Sequence, residues 1–283
     1  MNKPTFFLLA AAMTYGGTAL AQDNQSNLLQ EGSKNDAAVE QIGGNNQSLL
    51  VQDLDDNTAT VNQTGNGNSA EIQTTGGDND VALTQLGDGN IAVSLISEAN
   101  VRANLTQEGN NNVARQELDA PDSEASIFVD GSDNTTVQMV SGVGNNVAQL
   151  GLSGSGNTAT QMIDGENSRS YVTSVGDNSL VVTEQTGASN NVAILQEMGD
   201  NNSAVVAQNG DNNFAGGEDD PQLTQMGSDN SLILSQDGSL NASSIMQTGN
   251  ENSALNAQSG DGNKSVITQL GDCNAASVVQ RAQ

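Results

Sequence analysis

The chain has 283 residues and a formal net charge of −27, with no histidine, no tryptophan and only 2% aromatic residues. A surface this acidic repels nucleic-acid phosphates and anionic lipids, so we exclude nucleic-acid binding and expect no membrane insertion. A conventional globular core is also unexpected, because a core of this size normally uses many more aromatic side chains. Catalysis would depend on a carboxylate pair. We therefore predict a protein that is not an enzyme and needs no cofactor or metal.

The N-terminal residues have the features of a secretory signal peptide. Lys3 precedes an apolar run over residues 6–13, and Ala19-Leu20-Ala21 forms a small-residue cleavage site. The apolar run is too short to cross a hydrocarbon core, which needs about 20 residues. We predict a signal peptide over residues 1–21, a secreted mature chain, and a short N-terminal segment over residues 22–29 before the repeats. Loss of the signal peptide would remove one base and no acid, which changes the net charge from −27 to −28.

The pattern Gln-x-Gly-x-x-Asn returns along the chain, mostly at intervals of eleven residues or a multiple of eleven. Thr74 and Ile96 stand where this eleven-residue spacing would place a Gln. An internal repeat of fixed period indicates a stacked-repeat architecture, in which each unit is one supersecondary element. The motif also starts at Gln208. The predicted repeat positions are Gln30, Gly32 and Asn35; Gln41, Gly43 and Asn46; Gln63, Gly65 and Asn68; Gln85, Gly87 and Asn90; Gln107, Gly109 and Asn112; Gln185, Gly187 and Asn190; Gln225, Gly227 and Asn230; Gln236, Gly238 and Asn241; Gln247, Gly249 and Asn252; Gln258, Gly260 and Asn263; Gln269, Gly271 and Asn274; and Gln280.

The residues after each Asn alternate between two faces. Asn68, Ala70 and Ile72 fall on one face, and Glu71 falls on the other. This alternation indicates a strand of about six residues, and Gly supplies the positive φ that the following turn needs. One strand cannot bury its apolar face alone, whereas two strands per coil give two facing sheets with a thin shared interior. We therefore predict an all-β fold: a two-sheet parallel β-solenoid over residues 30–283, with about 11 coils of about 22 residues and two strand-turn units per coil.

The repeat is interrupted in two places. Between Gln107 and Gln185 the motif decays, yet Gln185 follows Gln107 by seven periods plus one residue, so we expect degenerate repeats over residues 116–184 with the same architecture. The interval from Gln208 to Gln225 exceeds one period by six residues, which predicts a loop insertion over residues 214–222. Proline is found only near such interruptions in the predicted mature chain, as expected for paired strands, because proline removes a ladder donor.

The recurring amides have a physical role in such a stack. A buried amide is costly unless its donors and acceptor are paired. When the same amide recurs one coil above and one coil below, each amide can donate to the next and form a ladder. We therefore predict that these Gln, Gly and Asn residues are the amide-ladder and turn positions that direct self-assembly. Polar caps are not evident at either end of the repeats, so we also expect open strand edges that invite another copy of the chain.

These residues resemble the curlin repeat, in which Ser, Gln, Gly, Asn and Gln recur about every 22 residues as strand-turn-strand. Gln63, Gly65, Asn68 and Ala70 carry the resemblance, together with the regular run Gln225–Gln280. The resemblance implies a subunit of curli-type extracellular amyloid fibres on the surface of a Gram-negative-type bacterium, where such fibres support biofilm matrix and adhesion. It also implies export through an outer-membrane secretion pore with chaperones, and polymerisation on a nucleator subunit.

The resemblance further implies that the terminal repeats drive polymerisation, namely the units at Gln30 and Gln41 and those from Gln247 to Gln280. Two features depart from the family pattern: this chain has about 11 coils where members usually have about five, and the Gly-rich segment that addresses the secretion pore is not evident in residues 22–29. Arg281 is the one basic residue near the end of the repeats. This favours a major fibre subunit over a nucleator.

Two other readings of the sequence stay open. A monomeric secreted β-solenoid could act as an adhesin, or it could bind ice, carbohydrate or calcium through its surface. Asp-rich turns supply oxygen ligands for calcium, but calcium-binding β-rolls use a nine-residue repeat. Ice or carbohydrate binding would favour a regular outward row, and pairs such as Thr58 and Thr60 are isolated. Cys273 lies in a turn-like stretch and is either an incidental surface thiol or an intermolecular cross-link.

Overall fold

A computed structural model describes residues 23–216 and 223–282. Within these ranges the chain forms only β-strands, turns and bends, without a helix. No helix that could span a membrane is found in this part of the chain. The predicted signal peptide over residues 1–21 lies outside the described residues.

The strands form two sheets, called sheet 1 and sheet 2 below. Sheet 1 contains β1 (Gln25–Gln30), β3 (Gln47–Gln52), β5 (Ser69–Thr74), β7 (Ile91–Ile96), β9 (Val113–Asp119), β11 (Thr135–Ser141), β13 (Thr158–Glu166), β15 (Leu180–Ala188), β17 (Ser203–Asn209), β20 (Ser231–Asp237), β22 (Ser253–Ser259) and β24 (Ala275–Arg281). Sheet 2 contains β2 (Asp36–Ile42), β4 (Thr58–Thr64), β6 (Asp80–Leu86), β8 (Arg102–Glu108), β10 (Glu124–Ser132), β12 (Val147–Ser155), β14 (Arg169–Val175), β16 (Asn191–Met198), β18 (Phe214–Ala215), β19 (Leu223–Met226), β21 (Ala242–Thr248) and β23 (Lys264–Leu270).

The chain winds alternately through the two sheets. Each strand pairs in parallel with the strand one coil further on, as Thr58 of β4 pairs with Asp80 of β6. Since a parallel neighbour needs a crossover, the intervening strand in the other sheet supplies the return path. The structure therefore confirms the predicted all-β, two-sheet parallel β-solenoid of about 11 coils. One strand with its following turn is called a half-coil below.

The interior lies between the two sheets and is thin. Along β4, Ala59, Val61 and Gln63 point inward and are buried, while Thr60 is partly exposed. Equivalent Ala, Val, Leu and Ile side chains of successive strands form one continuous apolar cluster. Period-two alternation places every second residue in this cluster, because successive Cβ atoms of a strand point to opposite faces. Small and branched side chains fill the narrow space without large aromatic rings.

The turns stack as closely as the strands. Gly65 has a φ of +123°, and a Cβ atom at this position would lie 1.9 Å from the carbonyl oxygen of Gly87 in the next coil. Only glycine tolerates both the positive φ and this backbone approach. Gly67 in the same turn also has a positive φ, of +67°, but a Cβ atom there would meet no neighbour within 4 Å. The Gly of the Gln-x-Gly-x-x-Asn motif is therefore required by the stacking of coils.

The structure differs from two predicted boundaries. Gln25–Gln30 forms β1 and pairs with β3, so most of the segment predicted to precede the repeats is already part of the solenoid. Phe214–Ala215 forms β18, which pairs with β16 and β21 as β19 does. The six residues by which the interval from Gln208 to Gln225 exceeds one period therefore lie within a strand position, between β18 and β19, and do not lengthen a turn. Residues 217–222 lie outside the described residues.

The degenerate middle of the chain keeps the same architecture. Strands β9 to β15 pair in parallel with their neighbours one coil away. The one-residue excess appears between β10 and β12, where Glu124 pairs with Val147, one position further along the chain than the regular period would place its partner. A further irregularity lies in the pairing of β14 with β16, between Tyr171 and Ser174. The strands of the middle coils therefore stay in register although the motif residues are absent there.

Candidate functional site: amide ladders and outermost strands

Glutamine side chains of successive coils donate to one another through the interior. Gln85 Nε2 donates to Gln107 Oε1 at 3.0 Å and to the carbonyl oxygen of Ser69 in the facing sheet at 3.0 Å. Gln85 Oε1 accepts from Gln63 Nε2 at 2.9 Å. Both N–H groups and the oxygen of this fully buried amide are therefore paired, which removes the cost of burying it.

In the described part of the chain, four runs of this kind follow the predicted Gln positions. All donate in one direction along the axis, from each Gln to the Gln one coil later in the chain. The runs are Gln41 to Gln107 and Gln225 to Gln269 in sheet 2, and Gln30 to Gln52 and Gln185 to Gln280 in sheet 1.

The motif Asn residues link each turn to the next one. Asn68 Nδ2 donates to the carbonyl oxygen of Gly87 at 2.7 Å, and Asn68 Oδ1 accepts from the backbone N–H of Asn90 at 3.0 Å. One side chain thus pairs a donor and an acceptor of the following turn, which the sheets leave unpaired. The same pair of contacts is repeated at Asn46 and Asn90. Each coil therefore carries the hydrogen-bonding groups that hold the turn of the next coil.

The structure contains ladder residues that are not part of the Gln-x-Gly-x-x-Asn motif. Gln116 Nε2 donates to Gln138 Oε1 at 2.8 Å, and Gln138 Nε2 donates to Gln161 Oε1 at 2.6 Å. These three residues lie two positions before the predicted Gln column of sheet 1, where Leu118 and Ile163 are buried instead. The sequence signal that could have identified them is the return of a Gln once in each coil. In the middle coils of sheet 1, the amide ladder therefore lies two residues before the motif Gln column, and apolar side chains occupy the motif column itself.

A ladder has a cost where it starts. Gln185 Oε1 is buried and has no hydrogen-bond partner, because the residue one coil earlier in its column is Ile163. A buried acceptor without a donor costs about 1–3 kcal/mol. Long ladders are therefore favoured over short ones, since each run has only one such end.

The outermost strands expose the same inward positions that are buried elsewhere. Val39 of β2 and Val278 of β24 pack only partly against the core, whereas Val61 in the same column as Val39 is fully buried. Gln41 and Gln280 are likewise partly exposed. The two ends of the described stack therefore present half-covered apolar and amide columns together with unpaired strand edges.

The charged groups lie on the outside. In the described part of the chain, residues 191–197 set aside, no Asp, Glu, Lys or Arg side chain is buried. Ser33 donates to Asp55 Oδ1 through its hydroxyl at 2.8 Å and its backbone N–H at 2.7 Å, and these hydrogen bonds hold the pKa of Asp55 below its usual value. Ion pairs join Lys34 to Asp56 and Arg102 to Asp80, both at exposed positions, where such pairs add little stability.

Cys273 is exposed in the last turn before β24. Its thiol donates to Glu251 Oε2 at 3.3 Å, and this carboxylate raises the pKa of the thiol. In the described part of the chain, no group of three or more Asp, Glu or Cys side chains is placed to hold a metal ion. The predictions that the protein has no enzymatic activity and no metal stay predictions.

Two segments of the chain, residues 55–93 and 227–255, match the model of the curlin associated repeat. The first runs through β4, β5 and β6, and the second through β20 and β21. Both lie in the parts of the chain where the motif is most regular. No curated protein matches the chain. The matches agree with the predicted resemblance, because these two segments are similar to curlin repeats.

Proposed function

We propose that this chain is the major structural subunit of an extracellular curli-type amyloid fibre, in which copies stack end to end and continue the solenoid. The observation that carries the proposal is the likeness of the two ends. Gln30 and Gln41 at one end and Gln269 and Gln280 at the other occupy equivalent ladder positions, and each pair lies on outermost strands. A second copy would cover the half-buried Val39 or Val278 and pair the open edges.

Head-to-tail contact of this kind uses two different surfaces of one subunit, and such contacts build open filaments. The direction of the ladders supports it. Gln280 Nε2 lies at the donor end of its run, while Gln41 Oε1 lies at an acceptor end. Joining two like ends would place donor against donor, whereas joining unlike ends continues the ladder.

The negative charge slows assembly without preventing it. Two unit charges about 5 Å apart in water repel by roughly 0.8 kcal/mol before screening by salt. A newly paired strand forms several ladder hydrogen bonds of about 1 kcal/mol each and also buries apolar surface. The acids are exposed, so added salt screens their repulsion. We expect fibre growth to accelerate with ionic strength.

The resemblance to curli subunits also suggests the cellular setting. We propose secretion, an outer-membrane pore with chaperones, a nucleator subunit, and fibres that serve biofilm cohesion and adhesion. The match to the curlin associated repeat supports this setting.

The test is incubation of the purified chain without its predicted signal peptide. Thioflavin fluorescence and acceleration by preformed seeds would support a fibre subunit. Val39→Lys places a charge on the half-covered inward face of β2, and Ala38→Lys is the matched control on the exposed outward face of the same strand. We expect Val39→Lys to stop growth and Ala38→Lys to leave it within about twofold. A chain that stays a monomeric β-protein would instead support a solitary adhesin or ligand-binding solenoid.

A further inference from the structure

The number of half-coils constrains how two copies can stack. In residues 23–216 and 223–282, the 24 strands occupy 23 half-coil positions, because β18 and β19 share one position between β16 and β21. Sheet 1 therefore has one more position than sheet 2. At one end β1 and β2 are outermost in sheets 1 and 2, and at the other end β24 and β23 are outermost.

A second copy added in the same orientation would leave a gap. Its β1 would pair with β24 in sheet 1, and its β2 would lie two strand spacings, about 10 Å, from β23 in sheet 2. Two strand edges would then face each other without hydrogen bonds. The inward faces at Val39 and Ile267 would border an unfilled space. Unpaired backbone groups and open apolar surface both oppose this arrangement.

A half-turn of the second copy around the fibre axis removes the gap. The winding leaves β24 in sheet 1, so the next position of the solenoid is in sheet 2, above β23. We propose that successive copies are related by this half-turn, so that β1 of the next copy pairs with β23 and β2 of the next copy pairs with β24. This inference rests on the end-to-end assembly proposed above. Each copy then advances by about 55 Å, and the fibre repeats after two copies, at about 110 Å.

Because the motif repeats every eleven residues, strands of both sheets carry the same motif positions. A sheet 1 strand of the next copy can therefore pair with a sheet 2 strand of this copy. With the half-turn, Gln269 would donate to Gln30 and Gln280 would donate to Gln41, so both ladders continue. Asn274 would accept from the backbone N–H of Asn35, as Asn252 accepts from that of Asn274 at 3.0 Å. These amide positions at the junction thus find the partner type that they have inside the chain.

The turn charges also favour the half-turn. Glu251 and Cys273 are neighbours in one column of turn residues. With the half-turn, the next residue in this column is Lys34, and without it the next residue is Asp23. Without the half-turn, Asp23 would lie two coils from Glu251 and add repulsion. With the half-turn, Lys34, which pairs with Asp56 one coil further on, would lie there and add attraction.

Disulfide cross-linking within assembled fibres distinguishes the two arrangements. On a Cys273→Ser background, chains with Ser277→Cys are mixed with chains carrying either Ala38→Cys or Asn27→Cys, and the fibres are oxidised. All three positions are exposed on outward faces, and directly paired residues lie about 5 Å apart, within disulfide range. Asn27→Cys with Leu49→Cys in one chain is the positive control, because these residues already pair.

We expect the Ser277→Cys and Ala38→Cys mixture to give cross-linked dimers in at least fivefold excess over the Ser277→Cys and Asn27→Cys mixture. The reverse preference would overturn the half-turn and leave end-to-end assembly intact. Fibres that form without a cross-link in either mixture would overturn both. Absence of fibres in every mixture and in the unsubstituted chain would contradict the proposed function itself.

Discussion

Gln63 donates through Nε2 to Gln85 Oε1 at 2.9 Å, although the two residues are a full coil apart in the chain. Gln63 Nε2 also donates to the carbonyl oxygen of Gln47, and its oxygen accepts from Gln41. Gln63→Ala would leave the buried Oε1 of Gln85 without its donor and would remove the side-chain donor to the Gln47 carbonyl. We expect a loss of about 2–4 kcal/mol in the free energy of unfolding.

Urea unfolding of freshly prepared monomer measures this loss. Asn62→Ala is the matched control, because Asn62 is the neighbouring outward residue of the same strand, and we expect it to change stability by less than about 0.5 kcal/mol. Equal effects of the two substitutions would contradict a stabilising role for the ladder.

Two glycines of one turn should respond differently to alanine. In Gly65→Ala the new Cβ atom would lie 1.9 Å from the carbonyl oxygen of Gly87, so neighbouring coils must separate. In Gly67→Ala the new atom meets nothing within 4 Å, and only the positive φ of +67° is strained, at a cost of about 1 kcal/mol. We expect a shift in the unfolding midpoint for Gly65→Ala at least twice that for Gly67→Ala. Similar shifts would show that coil stacking does not restrict this position.

The asparagine contacts should tolerate serine better than alanine. In the Asn columns of the chain, Ser168 uses its hydroxyl to accept from the backbone N–H of Asn190 at 3.2 Å. Asn68→Ser should therefore keep the acceptor for Asn90 and a longer donor contact to Gly87, as Ser168 donates to the carbonyl oxygen of Gly187 at 3.4 Å, and lose the donor to Asn46 Oδ1. We expect Asn68→Ala to cost about 2–3 kcal/mol and Asn68→Ser about half of that, by denaturant unfolding. An equal loss in both variants would rule out this acceptor role.

Asp55 predicts a local pH dependence. Because hydrogen bonds from Ser33 lower its pKa in the folded chain, its contribution to stability is present above the unfolded pKa and is lost as the pH falls through the folded pKa. Carboxyl titration followed by NMR should give a pKa for Asp55 below that of an unfolded Asp. In Ser33→Ala the value should rise toward the usual range. A pKa that does not move would exclude the Ser33 hydroxyl as the cause.

The sequence predicted the coil architecture and the regular ladders because one period controls both strand alternation and stacking. It did not reveal the ladder of Gln116, Gln138 and Gln161, because these residues lie two positions before the motif Gln column. The sequence also did not show where the six extra residues near Gly216 are inserted. The distance from Gln208 to Gln225 gives their number, but it does not show whether they lie in a turn or within a strand. β1 was missed because no motif glycine precedes Gln25 at the expected distance.

The central claim is that one chain forms many coils along the fibre axis. The mass per unit length of fibres, measured by scanning transmission electron microscopy, tests it most directly. The full chain has a mass of 29.0 kDa, and removal of the predicted signal peptide lowers this only slightly, so an advance of about 55 Å per chain gives about 0.5 kDa per Å. Chains that lie flat and stack one per strand spacing of about 4.8 Å would give about 6 kDa per Å. A value near the first figure is the result expected here, and a value near the second would contradict the account.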